Sequence, residues 1–213
     1  FIANRVYRAI RYESFAMVLR GEYTHIEIDS ALKYKLKFPM GVFELVDYTG
    51  AIEIELLEDK YIKELREKYP EWEPHEEYMM LREYALTLSK RYYESGMIGV
   101  KTGRGFYQYP EPGRYVKPNI PEDVGGKVEP LEIVAPAINL IAWMSAQGIA
   151  TPEDCDLALK LGYNLPKGLV ELGREYGASE VIRVLKGKLE KYRDTKYSRF
   201  YEPHYMLQSI LGG

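Results

Sequence analysis

The chain has 213 residues, a net charge of −3 and 46% hydrophobic residues, enough for one large domain or two small ones. Acidic and basic residues are interspersed, which excludes the concentrated basic face that general nucleic-acid binding needs. The single cysteine, Cys155, can form no internal disulfide; it fits a reducing, cytoplasmic setting and reads as a small buried side chain rather than a nucleophile.

In chain order, residues 4–20 read as a helix with Asn4, Arg8 and Arg11 on one polar face. Thr24-His25-Ile26-Glu27 is a capping box that opens the next helix, and His25, just after the cap, is expected to be exposed. Further helices are predicted at 42–49, 52–68 and 78–95. The glycine-rich run 99–105 follows, and Gly105-Phe106-Tyr107-Gln108-Tyr109 is the one stretch that reads as extended, ended by Pro110. Pro118-Asn119-Ile120-Pro121 and Gly125-Gly126 mark a linker over residues 116–129. Residues 130–147 form a helix that is apolar almost all round between 131 and 144, the mark of a buried helix; the apolar run is too short to cross a bilayer, which needs about 20 residues. Thr151-Pro152-Glu153-Asp154 is a second helix start, with Pro at the first helical position, and helices at 168–175 and 178–191 close the chain. The fold class is therefore all-α.

The chain repeats itself. A shift of 127 positions brings Thr24 onto Thr151, Asp29 onto Asp156, Ala31-Leu32-Lys33 onto Ala158-Leu159-Lys160, Pro39 onto Pro166, Gly41 onto Gly168, and Glu44-Leu45 onto Glu171-Leu172. So many identities without a gap predict two tandem copies of one helical unit, residues 1–115 and 130–213, joined by the linker. A slightly different offset pairs Glu73-Pro74-His75 with Glu202-Pro203-His204. The polar pair Asn4-Arg5 becomes Leu131-Glu132 in the second copy, so the first copy is expected to be the working one and the second a degenerate scaffold, an internal mimic of a dimer partner.

Three motifs occur in order: Phe1-Ile2-Ala3-Asn4-Arg5, then Phe38-Pro39-Met40-Gly41-Val42-Phe43-Glu44-Leu45-Val46-Asp47, then Gly99-Val100-Lys101-Thr102-Gly103-Arg104-Gly105-Phe106-Tyr107. Together they resemble the C-terminal helical domain of NAD-dependent 3-hydroxyacyl-CoA dehydrogenases. The resemblance implies an oxidoreductase of fatty-acid metabolism that passes hydride between C3 of an acyl-CoA and NAD. It also implies that the nucleotide-binding half, with the family's catalytic His and its Glu partner, lies outside this sequence. Residues 99–105 neither follow a strand nor open a helix, so they do not supply a dinucleotide fingerprint. With Phe rather than Met at position 1, the chain is expected to be a fragment, inactive without its Rossmann half. A fused enoyl-CoA hydratase domain and a homodimer are further expectations from the family.

By the same resemblance Asn4 matches a residue beside the catalytic His and the substrate's 3-oxygen. An amide suits that place because it can donate to an oxygen whose charge is changing without titrating itself. The bland reading of Asn4 is a helix N-cap, and the two roles can coexist. Pro39, Met40, Phe43 and Leu45 match positions at the acyl end of the substrate pocket, or else form a tight turn packed into the core. Val42 stands where the family often has a second Pro. Residues 101–107 could meet a phosphate through backbone amides, but a glycine loop pinned by Phe106 and Tyr107 is favoured. Arg5, Arg8 and Arg11 default to a solvated or ion-paired face. His25, His75 and His204 form no site, and no metal-ligand spacing occurs. Two rivals remain: a non-catalytic helical assembly module, and the helical half of another two-domain hydroxyacid dehydrogenase.

Overall fold

The structure, a computed structural model, describes residues 1–74 and 79–212. Its helices in chain order are α1 (Ile2–Leu19), α2 (His25–Lys35), α3 (Val42–Thr49), α4 (Ala51–Lys68), α5 (Arg82–Glu94), α6 (Pro130–Ala146), α7 (Pro152–Tyr163), α8 (Leu169–Tyr176), α9 (Ala178–Lys191) and α10 (Leu207–Leu211). Short 3-10 turns occupy Val100–Thr102, Asp123–Lys127 and Ser198–Tyr201. The all-α expectation holds among the described residues. The extended segment expected at 105–109 is instead an irregular loop with isolated bridges, Gly99 to Arg104 and Arg104 to Gln108. It folds back on itself within a few residues, so it offers no neighbour a ladder.

α1 and α6 lie against each other at the centre, and α5, α7 and the remaining helices close around them. The apolar sequence of α6 explains its place: Ile133, Val134, Ile138, Ile141 and Ala142 are fully buried. α1 keeps one polar edge and buries Val6, Ile10, Phe15 and Met17. A buried ion pair also ties α1 to α9. Glu13 accepts from the Lys188 ammonium at 2.7 Å and from the Tyr201 hydroxyl at 2.7 Å.

The helix starts follow their sequence signals. Thr24 accepts from the Glu27 N–H, and Glu27 reaches back to the Thr24 N–H at 2.8 Å. Thr151 accepts from the Asp154 N–H at 3.0 Å, with Pro152 in the first turn. α3 and α8 have no side-chain cap of their own, and a buried Asp from the preceding helix serves instead. The Phe43 and Glu44 N–H groups donate to the two Asp29 oxygens, each at 2.9 Å. The Val170 and Glu171 N–H groups donate to Asp156 at 2.9 and 3.0 Å. Lys33 pairs with Glu44, and Lys160 pairs with Glu171. One contact set thus recurs at the 127-residue spacing.

The two contact sets differ in what covers them. Lys33 and Glu44 are buried beneath the segment that carries Tyr115, whose hydroxyl donates to Glu44 at 2.6 Å. Lys160 and Glu171 are partly open to solvent. Residues 116–129, expected as a linker, form a packed strap across α2. Ser30 donates to the Pro121 and Glu122 carbonyls at 2.7 and 3.0 Å, and the Tyr34 hydroxyl donates to the Ile120 carbonyl at 2.8 Å.

These caps dictate Gly41. A Cβ there would lie 2.1 Å from the Asp29 carboxyl carbon, so any side chain must push the cap apart. Gly187, exposed in the middle of α9, has open space around it. Gly41→Ala is expected to cost about 2 kcal/mol or more, whereas Gly187→Ala should gain about 0.5–1 kcal/mol by helix propensity. Chemical denaturation of the two variants checks both signs.

Candidate active site

The second and third sequence motifs meet at α3. Asp29 caps that start and also accepts from the Tyr107 hydroxyl at 2.9 Å. Asp47, near the end of α3, holds the glycine-rich loop: it accepts from the Phe106 N–H at 3.0 Å, the Tyr107 N–H at 2.8 Å and the Tyr109 hydroxyl at 3.1 Å. A Cβ on Gly105 would sit 2.1 Å from an Asp47 carboxylate oxygen, so the loop needs glycine to come this close. The Asp of the second motif is therefore the physical partner of the Gly-Phe-Tyr of the third. These two amides are already committed to a carboxylate. They make a latch, not a phosphate cradle.

Burial pushes the Asp29 carboxyl up to about 7 and the Asp47 carboxyl up to about 6, against the donors that favour their charged forms. Behind them Phe15, Phe43, Phe106 and Tyr92 form an aromatic cluster, with Phe43 and Phe106 ring centres 4.6 Å apart. His25 joins it, 5.8 Å from Phe106 and 5.3 Å from Tyr107. It is half-buried rather than exposed as expected, because the loop folds over the start of α2; burial lowers its pKa.

Asn4 is exposed and lies inside the first turn of α1; Phe1 occupies the N-cap position, so Asn4 is not a cap. Its Oδ1 accepts from the Tyr163 hydroxyl of α7 at 3.0 Å. Tyr7, one turn along α1, stacks on Tyr163 with ring centres 4.0 Å apart and planes 5° apart. Burial raises the Tyr7 pKa, and the Asp29 carboxylate raises it further.

Along the turn before α3, Pro39 is exposed and Met40 is half-buried, as is Leu45 one turn into the helix. Phe43 is fully buried and turned toward Phe15. Arg8 and Arg11 are ion-paired, to Glu58 at 2.9 Å and to Glu55 at 2.6 Å, and Arg5 lies over the Trp143 ring at 5.4 Å. A mostly apolar cavity of about 390 Å³ opens beside this edge, lined by Arg5, Arg8, Tyr12, Ile62, Trp72 and Phe200 among others.

His204 is anchored through its backbone N–H to Asn139 at 2.8 Å, while His75-Glu76-Glu77 lies outside the described residues. Cys155 is fully buried, and burial pushes its thiol up to about 12. Among the described residues no metal-holding group of three or more His, Cys, Asp or Glu gathers, and no helix is long and apolar enough to cross a membrane. Sequence reasoning missed the roles of Asp47 and Tyr163. The first stood inside a quoted motif, while the second carries no local signal.

The family model for the 3-hydroxyacyl-CoA dehydrogenase C-terminal domain matches residues 1–109 and 132–211. The chain belongs to that family. A probable 3-hydroxyacyl-CoA dehydrogenase of Caenorhabditis elegans is 35% identical over 109 residues, covering 51% of this chain and 33% of that protein. The human mitochondrial hydroxyacyl-coenzyme A dehydrogenase is 31% identical over 109 residues, covering 51% of this chain and 31% of that protein. The chain thus spans about a third of the length of these curated relatives. The solved structure of 3-hydroxybutyryl-CoA dehydrogenase from Escherichia coli K12 superposes with a TM-score of 0.68 at 17% identity, covering 99% of this chain and 59% of that one, which establishes a shared fold.

The latch makes a pH prediction. Folded Asp47 holds its proton more tightly than an unfolded Asp, near 3.9. Its contribution to stability is therefore full below about 4 and is lost as pH rises through about 6. Asn at this position does not titrate. The melting temperature of the wild type minus that of Asp47→Asn should be larger at pH 4.5 than at pH 7.5, and a pH-independent difference would contradict it.

Proposed function

We propose that this chain is the helical, substrate-side portion of an NAD-dependent 3-hydroxyacyl-CoA dehydrogenase, interconverting 3-hydroxyacyl-CoA and 3-oxoacyl-CoA. The observation that carries the reading is Asn4. It falls in the first family motif and stands exposed on the polar edge of α1, while Arg8 and Arg11 of the same face are held by glutamates. In this reading the Asn4 amide donates to the substrate's 3-oxygen. The developing oxyanion, or the hydroxyl, is stabilised without a proton changing hands at Asn4. When bound, NAD would supply the hydride acceptor and a base the proton acceptor, both held by a nucleotide-binding half outside this chain, while Asn4 holds the 3-oxygen. Pro39, Met40 and Leu45 shape the wall of the site, with Phe43 supporting that wall from the core side. The apolar cavity beside Arg5 and Arg8 offers room for acyl carbons one helical turn from Asn4.

The contacts that recur at the 127-residue spacing support two copies of one unit, residues 1–115 and 130–213, with the second degenerate. In the second copy Arg174 stands at the Asp47 position and donates to the Ile210 carbonyl at 3.1 Å, so no loop latch of the first kind is built there. The lone buried cysteine supports a cytoplasmic setting.

One observation favours the assembly reading. Ile54, Leu57 and Tyr61 are exposed along α4 at helical spacing, the pattern of a face that meets another protein surface: a second copy, the nucleotide-binding half or a fused hydratase domain.

Acetoacetyl-CoA-dependent NADH oxidation tests the function. The chain alone should be inactive, and joining it to a nucleotide-binding half should restore turnover. In that active form Asn4→Ala should lower kcat/KM by about 100-fold with normal folding. Unchanged turnover in Asn4→Ala would favour the assembly module.

A further inference from the structure

We propose that Tyr163, contributed by the second half of the chain, is a positioning residue that fixes which end of the Asn4 amide faces the substrate. The inference rests on the functional reading of Asn4 given above.

An exposed Asn can turn about its terminal torsion and present either its oxygen or its NH₂ group outward. Only the NH₂ group can donate to a substrate oxygen; the carbonyl oxygen would repel it. A donor placed on Oδ1 breaks this symmetry. The Tyr163 hydroxyl is such a donor, 3.0 Å from Asn4 Oδ1. Burial raises its pKa, so the hydroxyl keeps its proton through the neutral range. With Oδ1 engaged on α7, both Nδ2 hydrogens are left to face away from it.

The donor is itself held. The Tyr163 ring lies flat on Tyr7 at 4.0 Å, and Tyr7 is 5% exposed, so the pair is a fixed plate. α7 reaches α1 closely at Gly162, where a Cβ would stand 3.3 Å from the Ala3 Cβ. Tyr163 is the last residue of α7, and Asn164 ends the helix in a left-handed conformation at φ 53°. The plane of the ring and the reach of its hydroxyl are thus set by backbone and packing rather than by solvent.

This gives the second half a part in the site. Its α7 does not merely shore up α1; it decides the orientation of the group that meets the substrate. A neutral hydrogen bond of ordinary net strength corresponds to a population bias of roughly 3- to 10-fold.

Tyr163→Phe removes the hydroxyl and keeps the stacked ring. In the active enzyme containing this chain, Tyr163→Phe should lower kcat by up to about 2-fold, because an unbiased amide still presents its NH₂ group half the time, with KM and melting temperature unchanged. In an Asn4→Ala background the same change should have no further effect, because the group it orients is gone. The isolated chain gives a readout independent of turnover. The two Asn4 side-chain amide protons should show dispersed, ordered NMR shifts that collapse toward unfolded values in Tyr163→Phe. Additive losses in the double variant, or ordered Asn4 shifts that survive Tyr163→Phe, would overturn the proposal. If Asn4→Ala slows turnover and Tyr163→Phe does not, only this inference fails. If Asn4→Ala itself leaves turnover intact, the functional reading fails and this inference falls with it.

Discussion

A carboxylate buried on one helix, receiving the first amides of the next, is the contact on which the rest of this fold depends. α3 begins without a side-chain cap of its own, and its first N–H groups must find acceptors once they are buried. Asp29 supplies both oxygens to Phe43 and Glu44. Taking that charge out of water is costly, as its raised pKa records. Three donors offset the cost, the third being the Tyr107 hydroxyl from a loop far along the chain. Gly41, Tyr107 and the glycine loop all follow from this one arrangement. Gly41 must lack a side chain to let the carboxyl in, and the loop must be latched by Asp47 to deliver Tyr107.

The proposed functional edge is built on this platform rather than within it. The motif residues Gly41, Asp47, Gly105 and Phe106 are consumed by packing and hydrogen bonding, and Phe43 is turned into the aromatic core. What they leave open is the polar edge of α1, with Asn4 at its exposed end. α1 can hold that position because both halves of the chain grip it. α6 packs along its length, Lys188 neutralises Glu13 in the interior while the Tyr201 hydroxyl donates to it, and Tyr163 meets Asn4 at the surface. A buried ion pair of this kind adds little net stability against an apolar alternative, but losing either partner would leave a stranded charge, so it fixes one way of docking the halves.

Much of this was legible in the sequence where the cause is local. The Thr24 capping box, the Thr151 cap and the apolar wheel of residues 131–144 each settle their structure within a few residues. The glycines before α3 and α8 could be read the same way, and those elements stand where the pattern puts them. The matched Asp29 and Asp156 were visible as a repeat, though not as caps, because a cap supplied from 14 residues away has no short-range signature. Contacts across longer separations were not legible. Asp47 meets Phe106 and Tyr107 across 59 and 60 residues, and Tyr163 meets Asn4 across 159. The extended reading of residues 105–109 failed for the same reason: aromatic alternation resembles a strand, but no neighbouring chain offers a ladder and a carboxylate takes the amides instead. His25 was misjudged as exposed because the loop that covers it lies some 80 residues on.

Amide hydrogen exchange tests the central claim most directly, that the motif residues are structural fastenings and not a phosphate-binding loop. The N–H groups of Phe43, Glu44, Phe106 and Tyr107 are all committed to Asp29 and Asp47. Their exchange should be slow compared with that of neighbouring loop residues such as Lys101 and Arg104, and it should not change when coenzyme A is added. Fast exchange at Phe106 and Tyr107 that slows on adding coenzyme A would contradict the account and return the loop to ligand binding.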